Sequence, residues 1–195
     1  MKLDCLLSGV GGQGIVLASR IIAQAAMEKG LFARTSETIG MAQRGGCVVS
    51  HVRIGDTVSP LIPLGGADLL IGFEPGEALR CIAYLKEGGA VIVSAKAIQP
   101  VTAALAGKSF DASPYLEGLQ RQAGCVIVVD GDAVCKACGS DKVLNTALLG
   151  AAAASGRLGL SLAEITAVLR AKLPPPMVLI NEKALQLGAA AAKGE

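Results

Sequence analysis

The stretch that decides the fold is the N-terminal run Leu3-Asp4-Cys5-Leu6-Leu7-Ser8, followed by Gly9-Val10-Gly11-Gly12-Gln13-Gly14 and then by residues 15–29. The first part is an apolar run typical of a buried strand, and the last part carries apolar residues at helical spacing. The glycines between them permit positive φ angles and close approach of the backbone. This run therefore predicts a strand, a tight turn and a helix whose N-terminal N–H groups face the turn.

Alternating strands and helices continue this pattern along the chain. Short, continuous apolar runs at 67–72, 90–93 and 125–129 predict buried strands. Helices are predicted between and after them, at 75–86, 113–122, 141–155, 161–173 and 178–192, with Ser161 and Glu164 forming a capping box. The expected fold class is α/β, with a largely parallel sheet covered on both faces.

The segment after the first helix departs from this regular alternation. Residues 32–37 are extended, and residues 47–54 alternate apolar and polar side chains. Gly55-Asp56 is a turn signal, and residues 58–64 follow it. We expect a hairpin here, which adds an antiparallel portion to the sheet.

Composition excludes several classes of protein. The chain has 195 residues, of which 52% are hydrophobic and 3% aromatic, and its formal net charge is +2. The apolar fraction argues against disorder, and the small charge without basic runs argues against nucleic-acid binding. No charge-free apolar stretch is long enough for a membrane span, and no secretory signal is present. We therefore expect a cytoplasmic protein.

The six cysteines are expected to be reduced in the cytoplasm. Cys5, Cys47 and Cys125 lie in apolar runs, where a free cysteine packs as a small hydrophobic residue. Cys135 and Cys138 form the single C-x-x-C pair, but no second ligand pair accompanies them, so no metal site is predicted. His51 is expected on a strand, facing solvent or hydrogen-bonded.

The glycine turn is compatible with three interpretations. It matches the dinucleotide-binding pattern G-x-G-x-x-G, and Glu37 stands at a suitable distance to bind a ribose. Gly12 makes the turn G-x-G-G-x-G, which resembles the ATP-binding turn of ubiquitin-activating-type adenylating enzymes. The third interpretation is a tight turn that binds nothing. Against a dinucleotide fold, glycines 40, 45 and 46 and the hairpin replace the expected second crossover helix.

Further blocks of sequence carry a family resemblance. Together with the glycine turn, they resemble the gamma subunit or domain of 2-oxoacid:ferredoxin oxidoreductases, and in particular the small subunit of the indolepyruvate type. The blocks are Glu37 through Gly40 to Gln43-Arg44-Gly45-Gly46, then Ser50-His51-Val52-Arg53-Ile54, then Asn145-Thr146-Ala147-Leu148-Leu149-Gly150, and last Asn181-Glu182-Lys183-Ala184-Leu185-Gln186-Leu187-Gly188.

The resemblance implies a three-layer α/β/α sandwich with a Rossmann-like sheet, and one gamma-type domain over residues 1–195. Enzymes of this family convert a 2-oxoacid and coenzyme A into an acyl-CoA, CO2 and reduced ferredoxin. A large catalytic subunit is implied as the partner, with thiamine diphosphate and iron–sulfur clusters bound there and no cofactor bound by this chain alone. Ferredoxin is expected to interact through the complex. The isolated chain is expected to be inactive and to be able to form a homodimer.

The motifs of this sequence agree with the assignment of the cofactors to the partner subunit. The thiamine diphosphate signature requires Gly-Asp-Gly followed by paired asparagines, whereas Gly131-Asp132-Ala133 is followed by the single Asn145. The sequence also lacks a four-cysteine cluster motif. No catalytic residue is therefore assigned to this chain.

Ligand-binding or subunit-interface residues are expected around the glycine turn and the second glycine cluster. We expect the turn and Arg44 to receive an anionic group, namely a phosphate of coenzyme A, because a guanidinium matches phosphate oxygens. The alternative is a docking face for the catalytic subunit, with Arg44 in an intersubunit ion pair. The candidate residues are Gly9, Gly11, Gly12, Gln13, Gly14, Glu37, Gln43, Arg44, Gly45 and Gly46.

Two other functions remain open at the level of sequence. One is a freestanding NAD- or FAD-dependent oxidoreductase, favoured by the glycine turn with Glu37. The other is a nucleotide-binding module without catalytic activity.

Overall fold

A six-stranded sheet organises the chain. The computed structural model describes residues 1–39, 46–99 and 111–194. The strand order is β2-β3-β1-β4-β5-β6. Their bounds are β1 Leu3–Val10, β2 Ala33–Ile39, β3 Cys47–Ile54, β4 Ala67–Gly72, β5 Leu85–Ser94 and β6 Cys125–Val129.

Strand β3 runs opposite to all the others. It pairs antiparallel with β1 on one side and with β2 on the other, whereas β1, β4, β5 and β6 pair in parallel. The predicted antiparallel portion is therefore present, but residues 47–54 do not pair with residues 58–64 as the turn at Gly55-Asp56 predicts. Residues 47–54 form a hairpin with β2, and residues 58–64 form no strand.

Helices lie on both faces of the sheet, as the sequence predicts. One face carries the larger apolar core, and the other carries a smaller core around Leu6, Leu70 and Leu119. The helices are α1 Ile15–Glu28, α2 Pro75–Arg80, α3 Ser113–Gln122, α4 Gly131–Cys138, α5 Leu144–Ala154, α6 Leu162–Lys172 and α7 Pro175–Lys193. None of the helices within the described ranges is long and apolar enough to span a bilayer.

Two helix boundaries differ from the prediction because of tertiary pairing and proline chemistry. The helix predicted at 75–86 ends at Arg80, since Leu85 already pairs with Ala67 as the first residue of β5. The last helix begins at Pro175 rather than after the prolines, because proline is tolerated in the first turn, where its missing N–H has no intrahelical partner. The Ser161 capping box at α6 is confirmed.

Helices α5 and α7 cross at very short range on the larger core. The backbones meet at Gly150 and Gly188, where a Cβ atom would overlap the carbonyl oxygens of Leu185 and Ala147. A buried polar contact lies beside this crossing, because Thr146 Oγ1 donates to Asn181 Oδ1 at 2.6 Å. The two glycines thus allow a close-packed interface between α5 and α7.

Candidate functional site

The glycine turn lies at the carboxyl edge of the sheet, where β1 ends and α1 begins. Gly12 and Gly14 have φ angles of 101° and 80°, in the left-handed region that favours glycine. A Cβ on Gly12 would meet nothing within 4 Å, so its backbone faces open space. The turn, the start of α1 and Val48 line a concave site of about 220 Å³.

The N-terminus of α1 has no capping side chain. Its N-cap residue is Gly14, and its first turn contains no acidic residue. The first N–H groups of an α-helix have no intrahelical acceptor, and together with the helix dipole they favour an anion. The cavity is smaller than the roughly 300–1,000 Å³ typical of sites that enclose a whole drug-sized ligand. The turn can therefore receive a small anionic group.

Gln13 stabilises the turn through its own protein contacts. Its Oε1 accepts the N–H of Val10 at 2.7 Å, and its Nε2 donates to the carbonyl of Phe73 at 2.9 Å. Phe73 follows β4, so Gln13 fills the crevice between the ends of β1 and β4. A Cβ on Gly9 would lie 2.6 Å from Gln13 Oε1, which explains the glycine at that position.

The second glycine cluster approaches the turn through Gly46. The N–H of Gly11 donates to the carbonyl of Gly46 at 2.9 Å, directly before β3 begins. Three further candidates, Gln43, Arg44 and Gly45, lie outside the described residues. The structure therefore brings together six of the ten candidates: Gly9, Gly11, Gly12, Gln13, Gly14 and Gly46.

Glu37 lies away from the turn. It is paired with Ser50, which in turn is paired with Leu7, so β3 separates it from β1. Two strand spacings amount to about 10 Å. A dinucleotide fold places its acidic residue on a strand adjacent to β1, and that position is occupied here by the antiparallel strand β3. The geometry does not support ribose binding by Glu37.

Asn145 is a polar neighbour of the turn that the sequence did not single out as a ligand. It lies in the first turn of α5 and is 3% exposed. A Cβ on Gly14 would lie 2.7 Å from Asn145 Nδ2. Its Oδ1 accepts the N–H of Thr146 at 2.8 Å and so satisfies a local backbone group. Only the tertiary fold places the amide nitrogen beside the turn.

Glu74 is a second residue that the sequence did not single out. It caps α2, and its Oε2 accepts the N–H of Glu77 at 2.8 Å, while Oε1 is buried without a partner among the described residues. Burial raises the pKa of Glu74, and the backbone N–H groups around it oppose that shift. Pro75 at the first helical position was the sequence signal for a cap here.

The thiols near this edge are protonated at neutral pH. Burial, together with the Glu77 carboxylate beside it, raises the pKa of Cys47 to about 12. Burial likewise raises the pKa of Cys81 and of Cys135. Because the thiolate is the nucleophile, these three thiols are weak nucleophiles at neutral pH. The described residues contain no group of three or more His, Cys, Asp or Glu side chains that could hold a metal ion.

The loop after β3, residues 57–64, packs Ile62 into the smaller core and leaves other apolar side chains exposed. Arg53 Nη1 donates to the carbonyls of Ser59 and Leu61 at 3.1 and 3.0 Å, and Arg34 Nε donates to that of Thr57 at 2.7 Å. Arg53 also forms a two-bond ion pair with Asp4, at 2.8 and 2.9 Å. Three apolar side chains of this loop are left exposed, at 95%, 51% and 70%: Val58, Leu61 and Leu64.

His51 anchors the same loop through a buried hydrogen bond. It is 4% exposed, its Nδ1 accepts the N–H of Ile62 at 3.2 Å, and its ring stands edge-on to Tyr84. Burial lowers the pKa of His51, and the charge of Arg53 adds to the shift. The expected hydrogen-bonded position is confirmed.

The free energy of unfolding should depend on His51 below neutral pH. A histidine whose folded pKa is depressed contributes its full stability above the unfolded pKa, about 6.5, and loses it as the pH falls below that value. We expect the urea midpoint to decrease from pH 7.5 to pH 5.5 more in the wild type than in His51→Gln, which keeps an uncharged acceptor. Equal decreases in both proteins would contradict this assignment.

Known proteins share the sequence pattern and the fold described above. The pyruvate ferredoxin/flavodoxin oxidoreductase family model matches residues 4–191. The chain belongs to this family. The resemblance drawn from the sequence blocks is confirmed, and a freestanding nicotinamide or flavin enzyme is not favoured.

Relatives within the family match over nearly the whole chain. Indolepyruvate oxidoreductase subunit IorB of Pyrococcus horikoshii is 37% identical over 198 residues, covering 98% of this chain and 96% of the relative. The protein of the same name from Archaeoglobus fulgidus is 39% identical over 190 residues, covering 96% and 94%.

Solved structures of the family share the fold. The gamma subunit of a keto/oxoacid ferredoxin oxidoreductase from Geobacter sulfurreducens is 26% identical, with a TM-score of 0.72 and 99% of each chain covered. A 2-oxoglutarate:ferredoxin oxidoreductase from Magnetococcus marinus has a TM-score of 0.74 at 22% identity, and there this chain covers 31% of a longer chain. The predicted α/β/α fold with its mostly parallel sheet is confirmed.

Proposed function

We infer that this chain is the small, gamma-type subunit of a 2-oxoacid:ferredoxin oxidoreductase of the indolepyruvate type. The complex would oxidatively decarboxylate an arylpyruvate with coenzyme A, giving an acyl-CoA, CO2 and reduced ferredoxin. The observation that carries this proposal is the 37% and 39% identity, over nearly the full length of both proteins, to two archaeal subunits named for indolepyruvate oxidoreductase.

The proposal assigns thiamine diphosphate and the iron–sulfur clusters to a large partner subunit. The described residues do not fit a cluster, because no three of their His, Cys, Asp or Glu side chains lie together. We therefore place the clusters on the partner and not on this chain. Six free thiols also suit a reducing cytoplasm, where we place the complex.

Within the complex, we propose that the glycine turn receives a phosphate of coenzyme A together with Arg44. The uncapped N-terminus of α1 and the small cavity on the turn support this role. The alternative is that this edge contacts the catalytic subunit. In the assembled complex, Arg44→Ala should raise the coenzyme A KM without preventing co-purification. An unchanged KM with loss of co-purification would favour the docking role.

We also propose that the large subunit contacts the loop of residues 57–64. Three side chains of this chain hold the loop in place, so its exposed apolar residues need little ordering when they bind. Exposed apolar side chains on a preordered loop are suited to a protein interface.

Reconstitution with the large subunit tests the proposed function. The isolated chain should reduce no acceptor, whereas the reconstituted complex should reduce ferredoxin or a viologen dye with indolepyruvate and coenzyme A. Pyruvate and 2-oxoglutarate serve as comparison substrates, and a preference for either would move the chain to another branch of the family. Saturable NADH binding by the isolated chain, or flavin retained on purification, would contradict the proposal.

A further inference from the structure

The starting observation is a buried amide that faces the glycine turn. Asn145 is 3% exposed, and its Nδ2 would lie 2.7 Å from a Cβ on Gly14. It stands next to the uncapped end of α1, the place that the proposed function gives to a phosphate, and the inference below rests on that function.

A buried network fixes the orientation of this amide. Asn145 Oδ1 accepts the N–H of Thr146 at 2.8 Å, so the carbonyl side of the amide points into the protein. Thr146 Oγ1 donates to Asn181 Oδ1, and Asn181 Nδ2 donates to the carbonyl of Met177 at 2.8 Å. With the acceptor held on one side, the two donor hydrogens of Asn145 are directed towards the turn.

The Asn145 Nδ2 group has no hydrogen-bond acceptor among residues 1–39, 46–99 and 111–194. Here the donor lies beside Gly14, whose missing side chain leaves room for it. The N-terminus of α5, where Asn145 itself lies, adds a second partial positive charge at the same edge.

We propose that the Asn145 amide is a hydrogen-bond donor to the phosphate group received at the glycine turn. The backbone N–H groups at the start of α1 bind one side of the phosphate, and Asn145 Nδ2 donates to an oxygen from the α5 side. Asn145 thereby links the anion site to the α5–α7 core through Thr146 and Asn181.

Inorganic pyrophosphate, titrated into the full-length ¹⁵N-labelled chain, tests this proposal. The side-chain amide resonances of Asn145 and the backbone amides of Gly12 and Gly14 should shift together and saturate. Asn145→Asp should weaken pyrophosphate binding by about tenfold or more, because it replaces the donor by a like charge. The carboxylate should lower the thermal midpoint because position 145 is buried, so both affinities are measured at a temperature where the variant remains folded.

Gln24→Glu is the matched control. It makes the same change in charge on α1, about 13 Å along the helix from the turn, and should leave the pyrophosphate affinity unchanged. Asn145→Ser, which retains a shorter donor, should bind with intermediate affinity.

Two results would overturn the inference: an Asn145→Asp variant with wild-type pyrophosphate affinity, or a variant that loses thermal stability while the folded fraction still binds. Activity of the reconstituted complex separates this outcome from failure of the proposed function. A wild-type complex that turns over a 2-oxoacid with coenzyme A, while the chain gives no pyrophosphate shift, refutes the role of Asn145 alone. An inactive complex counts against the function itself.

Discussion

Gly188→Ala should lower the free energy of unfolding by about 3 kcal/mol or more and leave little folded protein. The added methyl group would overlap the carbonyl oxygen of Ala147, which belongs to the backbone of α5 and cannot rotate away. Helices α5 and α7 would have to separate, and with them the buried contact between Thr146 and Asn181. Urea denaturation followed by circular dichroism measures the loss, and Gly150→Ala should behave alike.

Gly118→Ala is the matched control for this prediction. Gly118 is also helical and buried, but a Cβ there would meet the tip of the Leu79 side chain at 2.9 Å, which can adopt another rotamer. The helix propensity of alanine offsets the remaining crowding by about 1 kcal/mol. A Gly188→Ala protein as stable as Gly118→Ala would show that the α5–α7 crossing is wider than described.

Arg53→Met should destabilise the chain by about 3 kcal/mol, because it leaves the Asp4 carboxylate buried without its partner. The side chains of this pair are 14% and 8% exposed, and the pair is joined by two hydrogen bonds. The same substitution removes both bonds to the loop of residues 57–64. We therefore expect weaker co-purification with the large subunit, measured at a temperature where the variant remains folded.

Arg170→Met supplies the comparison for an exposed ion pair. Arg170 pairs with Glu182 at side-chain exposures of 65% and 23%, and ion pairs this exposed contribute little to stability. Stability and co-purification should both remain close to the wild type. Equal losses for Arg170→Met and Arg53→Met would contradict the distinction between the buried and exposed pairs. Normal co-purification of Arg53→Met would remove the loop from the proposed interface.

Local patterns were sufficient to predict most elements of the fold. The strands at 67–72 and 125–129 and the capping box at Ser161 are found where the sequence places them. These signals depend on neighbouring residues only: a continuous apolar run, or a side chain that bonds to a backbone three positions away. The pairing of residues 47–54 with β2 instead of residues 58–64 could not be derived in this way, because two adjacent extended segments were available.

In the candidate site, too, local patterns predicted one part and the tertiary structure decided the rest. The glycine turn was predictable, since its φ angles demand glycine and a strand and a helix flank it. The separation of Glu37 from the turn depends on β3 lying between β2 and β1, which no local spacing encodes. Asn145 reaches Gly14 across 131 positions of sequence. The family resemblance rests on the blocks that contain Gly14 and Asn145, but it does not predict that these two residues lie together.

The sequence by itself determined the βα unit at the N-terminus, the α/β class and the family, because periodicity, turn chemistry and ordered motif blocks are properties of a linear chain. The tertiary structure decided which residues share the carboxyl edge of the sheet. It placed Gln13 against Phe73 and Asn145 against Gly14 at that edge, and Arg53 against Asp4 at the opposite end of β1. These contacts arise from strand order and helix packing, and both are fixed only when distant segments bury their apolar faces together.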